Sequence, residues 1–339
     1  MKLSQPVFAA SVTALLIATS SAHADEVEES GKEEPAKAEP AKEEPGKMEA
    51  VKGEPPQPAI PVHRIQYDAT LGVRVNPLGL ELQSNLAYRH RLYASDSRAL
   101  RDNYFGVALS PTLNPSVFRI GGHIEFRPLT MLNLQAGVHH VGYIGSFDNL
   151  QSYPVASADF SDTARDEGDK KGKSYPTHGF EAFGRAIALA KVGPIVIRDD
   201  LLFTFSKLEL MPGDTVYYNP RFDVLAPNEG WFLHNDSDVV YMSDFGLLAG
   251  ARASVTHAFY DDKIMGTSAS EDNVPMFRLG PILAYTIFDT PGAAFNKPTF
   301  IASAQWWLQH RFRTGEDVHQ GIPYAIVAFR FEGDLFRGD

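Results

Sequence analysis

The sequence contains no cysteine among its 339 residues. That absence excludes disulfide bonds, thiolate metal sites, cysteine nucleophiles and a lipid-modified N-terminal cysteine. Beyond the first residues, the chain also lacks any unbroken apolar run of about 18 residues, the length that a membrane-spanning helix needs. A helical membrane protein is therefore excluded. A membrane-spanning barrel of strands is not, because half of its strand residues are polar.

Motifs for cofactors and nucleic acids are missing as well. The chain has no phosphate-binding loop, no dinucleotide fingerprint and no basic face for nucleic acid, and its net charge is −11. The acidic segment around Asp159–Asp169 lacks the ligand spacing of a calcium loop. His123 and His139 fall on different predicted strands, and two histidines alone do not predict a metal site. We therefore expect no cofactor, no metal and no nucleic-acid partner.

The first 24 residues have the pattern of a secretion signal. Lys2 precedes an apolar segment through Val12–Ala18, and Ala22-His23-Ala24 forms a small-x-small cleavage site. We expect export and cleavage near Ala24.

Residues 25–61 differ sharply in composition from the rest of the chain. Lysine recurs every five residues from Lys32 to Lys52, proline is frequent, and aromatic residues are absent. Such a segment has almost nothing to bury, so we predict a disordered periplasmic linker. It is either a solvated spacer or a tether that touches peptidoglycan or a periplasmic protein.

The most informative stretch is Leu80–Tyr93. Leu80, Leu82, Leu86, Tyr88 and Leu92 fall on one parity, and polar residues from Glu81 to Tyr93 fall on the other. Successive side chains of a strand point to opposite faces, so this strand has one apolar and one polar wall. A strand of this length, repeated behind a secretion signal, predicts an apolar wall facing lipid and a polar wall lining a closed barrel.

The same alternation recurs through residues 62–339, where turn residues separate the strands. The pattern predicts an all-β fold, a closed antiparallel transmembrane β-barrel of about 12 strands. Residues 211–238 are the most ambiguous: we assign one strand to Thr215–Val224 and a loop or short plug to Pro227–Asp238. The full set of predicted strands is Arg64–Val75, Leu80–Tyr93, Asn103–Leu113, Val117–Arg127, Met131–Ile144, Gly179–Val192, Pro194–Leu210, Thr215–Val224, Ser243–Tyr260, Met276–Phe288, Thr299–Arg313 and Gly321–Glu332.

An even strand number puts both chain ends on one side, which in bacterial barrels is the periplasm. The short turns at 128–130 and 193–194 then fall on that side, and the long loop at 145–178 falls outside. The last strand alternates into Phe329 and Phe331, which resembles the aromatic-ending last strand of Gram-negative outer-membrane barrels. Eight residues after Phe331 depart from that pattern. The resemblance is to the architecture alone, and it implies outer-membrane lipid and the barrel-assembly machinery as partners.

Arginine dominates the predicted inner wall, with 13 arginines against 6 carboxylates. In one interpretation, these side chains pair with carboxylates and tyrosine hydroxyls and fill a narrow bore. In the other, the excess arginine lines a path for anions, as rings of arginine do in anion pores. The second interpretation resembles the twelve-stranded channels for acidic oligosaccharides. The candidate lining residues are Arg64, Arg74, Arg89, Arg91, Arg119, Arg127, Arg185, Arg198, Arg252, Arg278, Arg311, Arg313 and Arg330.

No catalytic site is evident from the residue pattern. Hydrolysis would need a nucleophile or activated water beside histidine and a carboxylate. No serine–histidine spacing resembles that of the outer-membrane phospholipase, and no Asp/His set resembles that of the omptin proteases. The sequence predicts a non-enzymatic outer-membrane barrel, a narrow pore for small or anionic solutes. The alternatives are a non-conducting structural barrel tethered through its linker and an outer-membrane hydrolase.

Overall fold

The computed structural model describes residues 60–144, 150–261, 264 and 273–338. The predicted signal peptide and nearly all of the predicted linker lie outside these residues. No helix among the described residues is long and apolar enough to cross a membrane.

Long antiparallel strands make up most of the described chain. Each of them pairs with its neighbours in a single continuous sheet. The elements, in chain order, are β1 His63–Val75, β2 Gly79–His90, β3 Tyr104–Leu109, β4 Thr112–Leu113, β5 Val117–Leu129, β6 Leu132–Tyr143, β7 Ser152–Tyr153, α1 Asp162–Lys170, β8 Thr177–Val192, β9 Ile195–Leu208, β10 Val216–Asn219, β11 Val224–Pro227, β12 Gly230–Met242, β13 Leu247–Ala258, β14 Met276–Thr286, β15 Asn296–Gln309 and β16 Tyr324–Gly338.

The sheet closes into a barrel because β1 pairs with β2 on one side and with β16 on the other. The short strands β3 and β4 act as one staggered strand between β2 and β5, interrupted at Ser110-Pro111. The barrel therefore has 12 strands, which confirms the predicted fold class and strand number. Closure leaves no free sheet edge.

The two ends of the barrel differ in the length of their connections. One end, here the terminal rim, carries both chain ends, where His63 pairs with Gly338. Its connections include the tight turn between β8 and β9, where Gly193 has φ 59° and allows a two-residue reversal. The opposite end, the loop rim, carries the long connections between β6 and β8 and between β9 and β12.

The predicted parity of the barrel strands is confirmed. Leu80, Leu82, Leu86 and Tyr88 of β2 are exposed on the outer surface, whereas Ala87 is fully buried. The outer wall is apolar around most of the barrel, and the inner wall carries most of the charged side chains. This arrangement places hydrocarbon outside and water within, as in a transmembrane barrel.

The predicted strand at Thr215–Val224 is wrong as a barrel strand. The eighth barrel strand is β12, which pairs with β9 and β13. It was missed because polar residues occupy both of its faces: Asn235 and Ser237 point outward, and Asp236 and Asp238 point inward. The alternation that marks the other strands is lost there.

Residues 216–227 instead form a β10–β11 hairpin in a small separate sheet with β7. All eight residues of the two hairpin strands are buried on both faces. A barrel strand has one face toward lipid, so a strand buried on both sides must lie inside the barrel. We call this hairpin, residues 216–227, the plug.

The ends of two other predicted strands also require correction. β16 continues through residues 332–338, paired with the start of β1, so these residues are not a tail after Phe331. A bulge opposite Ile65 and the inward pair Gln66–Asp334 accommodate this extension. Strand β15 ends at Gln309, and therefore Arg311 and Arg313 lie in the loop that follows it.

Candidate functional site

The plug crosses the bore near the loop rim and contacts the barrel wall on several sides. The ring of Tyr217 lies 6.1 Å from that of Tyr143 on β6. Phe222 lies 5.4 Å from Phe232 on β12. On the opposite wall, Arg74 of β1 donates to the carbonyl oxygens of Pro220 and Arg221, at 2.5 and 2.7 Å. Contacts in these three directions fix the plug across the opening.

One arginine joins the plug to the surrounding loops. The Arg313 guanidinium contacts the carboxylate of Asp223, at the tip of the plug, and both side chains are at most 3% exposed. It also donates to Asp162 at the start of α1, at 2.9 Å, and to Asn76 in the β1–β2 turn, at 2.6 Å. His310 lies 3.1 Å from the same Asp223 carboxylate. We call Arg313, Asp223, Asp162 and His310 the latch.

The charge state of the latch follows from its surroundings. Burial alone would raise the pKa of Asp223, but the positive charge of Arg313 and the hydrogen bonds from Arg313 and His310 outweigh burial. The pKa of Asp223 is therefore held well below its usual range. A carboxylate that stays ionised over a wide pH range keeps the plug bound to Arg313.

Exposure of the charged side chains changes along the bore. Toward the terminal rim, Arg330 is 47% exposed and Arg185 is 37% exposed. Near the plug, Arg119 and Glu181 form an ion pair at 2.8 Å and are only 4% and 7% exposed. Exposed and buried charged side chains both line the bore below the plug, a region we call the vestibule, since Glu125 beside Arg89 is only 1% exposed.

The charges of the vestibule are paired across neighbouring strands. Asp200 of β9 binds Arg185 of β8 at 2.5 Å and also contacts Arg198. Asp238 of β12 continues the chain, 3.3 Å from Arg198 and 2.6 Å from Arg252 of β13. This ladder links four adjacent strands and leaves little net charge on that side of the bore.

The remaining predicted lining residues also have polar partners. Arg89 binds Glu125 at 2.6 Å, and Asp102 accepts from both Arg64 and Arg127. Arg278 donates to Gln305 and lies over the ring of Tyr324. Three others donate to backbone carbonyl oxygens: Arg74 to the plug, Arg91 to Ile60 and Arg311 to residues 156–158. Arg330 has only more distant carboxylates, Asp68 at 3.9 Å and Glu332 at 3.8 Å.

The predicted excess of arginine over carboxylates on the inner wall was too large. Asp236 and Asp238 were overlooked because their strand, β12, was assigned to a loop. Asp102 was overlooked because it lies in the terminal-rim connection between β2 and β3. Sequence alternation detects neither kind of residue. The role of the thirteen arginines as an anion path stays a prediction.

A second polar cluster lies on the bore wall where β3 and β4 meet. The Ser110 hydroxyl is 3.2 Å from Nδ1 of His123 and 2.9 Å from Nε2 of His139. Nε2 of His123 is 3.3 Å from the carboxylate of Glu125, which Arg89 holds by two hydrogen bonds. The two histidines, which the sequence places on different strands, lie side by side on the paired strands β5 and β6.

Glycine makes room for these two rings. A Cβ atom at Gly121 would lie 2.8 Å from the His139 ring, and one at Gly137 would lie 2.5 Å from the His123 Cβ. The Gly121-Gly122 pair therefore permits close approach, as expected for glycine inside a strand. The cluster is a hydroxyl between two imidazoles, one of them oriented by a carboxylate, which is the arrangement of an activated serine.

No protein-family profile and no curated protein matches the chain. Among solved structures, the NanC porin is 6% identical over 79% of this chain and all of that chain, with a TM-score of 0.37. An outer membrane channel from Pseudomonas putida F1 is 9% identical over 85% of this chain and all of that one, with a TM-score of 0.38. LpxR from Salmonella typhimurium is 8% identical over 79% of this chain and 99% of that one, with a TM-score of 0.34.

These values limit the comparison to general architecture. The generic resemblance to outer-membrane β-barrels predicted from the sequence is confirmed, without a specific family. The barrel assignment itself rests on the strand pairing of this chain.

Proposed function

We propose that this chain is an outer-membrane β-barrel that does not conduct as a standing pore, because the plug closes its bore at the loop rim. The observation that supports this function is the plug itself, whose strand residues are all buried and whose tip is held by the buried contact between Asp223 and Arg313. With both chain ends on the periplasmic side, the plugged end faces the cell exterior.

The alternative prediction, a narrow pore for small or anionic solutes, requires the plug to leave the bore. The paired vestibule charges argue against strong anion preference, since each carboxylate offsets a nearby guanidinium. Removing the plug and measuring ion selectivity therefore tests both ideas.

We expect the wild-type barrel to be silent in planar lipid bilayers. Replacing residues 214–229 with a short glycine-serine linker is expected to give stepwise conductance, because the plug strands fill the bore at the loop rim. The control is the double variant Lys170→Ala, Lys171→Ala. The two lysine side chains are exposed at the C-terminal end of α1, so this variant should stay silent. Steady conductance by the wild type would contradict the proposal. Strong anion preference in the deletion variant would favour the arginine path.

A second candidate function, hydrolysis of a small ester that enters from the terminal rim, is favoured by the Ser110 cluster. In this reaction Ser110 Oγ attacks the ester carbonyl carbon, and its proton passes to Nδ1 of His123, whose Nε2–H donates to Glu125. The alcohol leaves with that proton. Water then attacks the acyl-serine through the same imidazole, which releases the acid and restores Ser110.

A fluorophosphonate probe is expected to label Ser110 in the folded barrel, as read by peptide mass. Ser110→Ala should lose the label, and His123→Asn should slow labelling about 100-fold or more because the general base is removed. Ser303→Ala is the control, because Ser303 also lies on the inner wall but bonds only a carbonyl oxygen. Ser110→Cys, treated with a small thiol reagent, reports access. If the introduced thiol reacts but Ser110 takes no fluorophosphonate label, the serine is accessible but not activated, and the hydrolase is rejected. If the thiol does not react at all, the site is inaccessible, and the hydrolase is rejected as well.

A further inference from the structure

A polar patch interrupts the lipid-facing wall between β9 and β12. Asp199 points outward on β9, between Ile197 below it and Leu201 above it on the same face. It is the register partner of Ser237 on β12, and Asn235 lies two residues further along the same outward face. These three residues, here the outer polar patch, lie within the apolar belt rather than at its borders.

The hydrogen bonds within this patch leave it incomplete. Asn235 Nδ2 and Ser237 Oγ both donate to the same oxygen of Asp199, Oδ1, at 3.1 and 2.6 Å. Both hydrogen bonds end on Oδ1, so Oδ2 of Asp199 remains as an acceptor on the outer surface, next to the exposed Ser237. A carboxylate and an amide facing hydrocarbon are costly because lipid offers no hydrogen bonds. The patch therefore needs a polar partner outside this chain.

The wall on each side of the patch is unusually flat. In the middle of the outward faces of β8 and β13, between Phe180 and Val192 and between Leu247 and Val255, the side chains are small, in contrast with the leucine, phenylalanine and valine residues of β1, β2 and β5. A Cβ atom at Gly184 would meet nothing within 4 Å. Small residues let two membrane-embedded surfaces approach closely. The flanking residues are Ala182, Gly184, Ala186, Ala188 and Ala190 on β8, and Ala249, Ala251 and Ala253 on β13.

We infer that the outer polar patch is the contact surface for a second copy of this chain, in a two-fold dimer within the membrane. A two-fold axis along the membrane normal relates the two copies without changing the depth of any residue in the membrane. A strand to the left of the axis on one copy therefore faces the strand to the right of the axis on the other. If the axis passes between β9 and β12, Asp199 of one copy lies opposite Ser237 of the second copy. The two differ in depth by only about 3 Å, because they are register partners on adjacent strands that lie about 4.8 Å apart and are tilted by roughly 40°.

The same operation makes the rest of the surface complementary. The remaining carboxylate oxygen of Asp199 on each copy faces the polar side chains of Ser237 and Asn235 on the other, and Asn235 Nδ2 has a second N–H to donate. The small-residue face of β8 lies against that of β13. Two-fold dimers of this kind use one self-complementary surface twice, and they are the commonest closed assemblies. The inference does not depend on the plug or on conduction, because it concerns only the outward face.

The absence of native cysteine makes a cross-linking test clean. Co-expressed Ala188→Cys and Ala251→Cys chains, carrying different tags, are expected to form a disulfide-linked heterodimer under mild oxidation, because β8 faces β13 across the axis. The control pair, Leu82→Cys and Val327→Cys, lies on lipid-facing positions far around the barrel and should not cross-link above background. Folding of each variant is checked by its heat-dependent gel mobility.

Sedimentation in density-matched detergent gives a second readout. Asp199→Leu is expected to weaken dimerisation at least tenfold while keeping a folded barrel, because leucine suits lipid but offers no acceptor. Asp199→Asn, which keeps an acceptor, should weaken it less. A wild type that stays monomeric, a cross-link to a different protein only, or equal cross-linking by the control pair would overturn the inference.

Discussion

Replacing Asp223 with alanine is expected to release the plug and to destabilise the folded barrel by about 3–5 kcal/mol, the usual cost of leaving a buried charge unpaired. Arg313 and Asp223 are at most 3% exposed, so solvent does not screen their interaction. Arg313 keeps Asp162 as a second partner, and Asp162 is 44% exposed. We therefore expect a value near the lower end of that range. Urea unfolding in liposomes measures the loss.

A matched double variant separates the unpaired charge from lost packing. Asp223→Leu combined with Arg313→Met removes both charges, and it should cost less than Asp223→Ala alone. Protease cleavage between residues 209 and 229, together with bilayer conductance, reports whether the plug has moved. If Asp223→Ala leaves stability, cleavage and conductance all unchanged, the latch does not hold the plug.

The latch also predicts a dependence on pH. Because the pKa of Asp223 is lower in the folded protein than in the unfolded chain, its stabilising contribution is complete above the unfolded value of about 4. It is lost as the pH falls through the lower, folded value. The wild-type plug should therefore stay closed at pH 5 and loosen only in strong acid. Opening between pH 5 and 7 would point to a different titrating group.

Replacing Trp307 with alanine is expected to destabilise the barrel by about 3–5 kcal/mol, as large-to-small changes at buried aromatic sites do. Trp307 is 1% exposed, and its ring lies 4.6 Å from that of His310 and 5.2 Å from the Arg278 guanidinium. Alanine would leave a cavity beside the latch. The measurement is the urea unfolding of the reconstituted barrel, in which heat-dependent gel mobility reports the folded fraction.

The neighbouring tryptophan provides the control. Trp306 points to the outer face, where it is 40% exposed, so Trp306→Ala creates no cavity and should cost clearly less. The two substitutions are chemically identical and adjacent in sequence. Equal effects, or a larger effect at Trp306, would contradict the assignment of inner and outer walls in β15.

Strand alternation was sufficient to predict which side chains face inward and which face outward wherever the two walls of a strand meet different solvents. In β2, the leucines at 80, 82 and 86 face outward as predicted, and Arg89 faces inward to Glu125. Alternation failed in β12 because Asn235 and Ser237 put polar groups on the outward face. It failed again in the plug, because Val216 to Asn219 are buried on both sides. The plug strands have protein on both sides rather than lipid or water, and in β12 the outward face itself is polar.

The sequence by itself determined a closed barrel of about twelve strands, placed eleven of them, and gave the facing of most of their side chains. These depend on local alternation and on turn residues, which each segment carries without its neighbours. Only the tertiary structure decided that Asp223 meets Arg313, that the arginines of the bore are paired, and that Ser110 lies between two histidines. Those contacts join residues far apart in the chain, and their partners follow from strand register and loop path, which alternation does not encode.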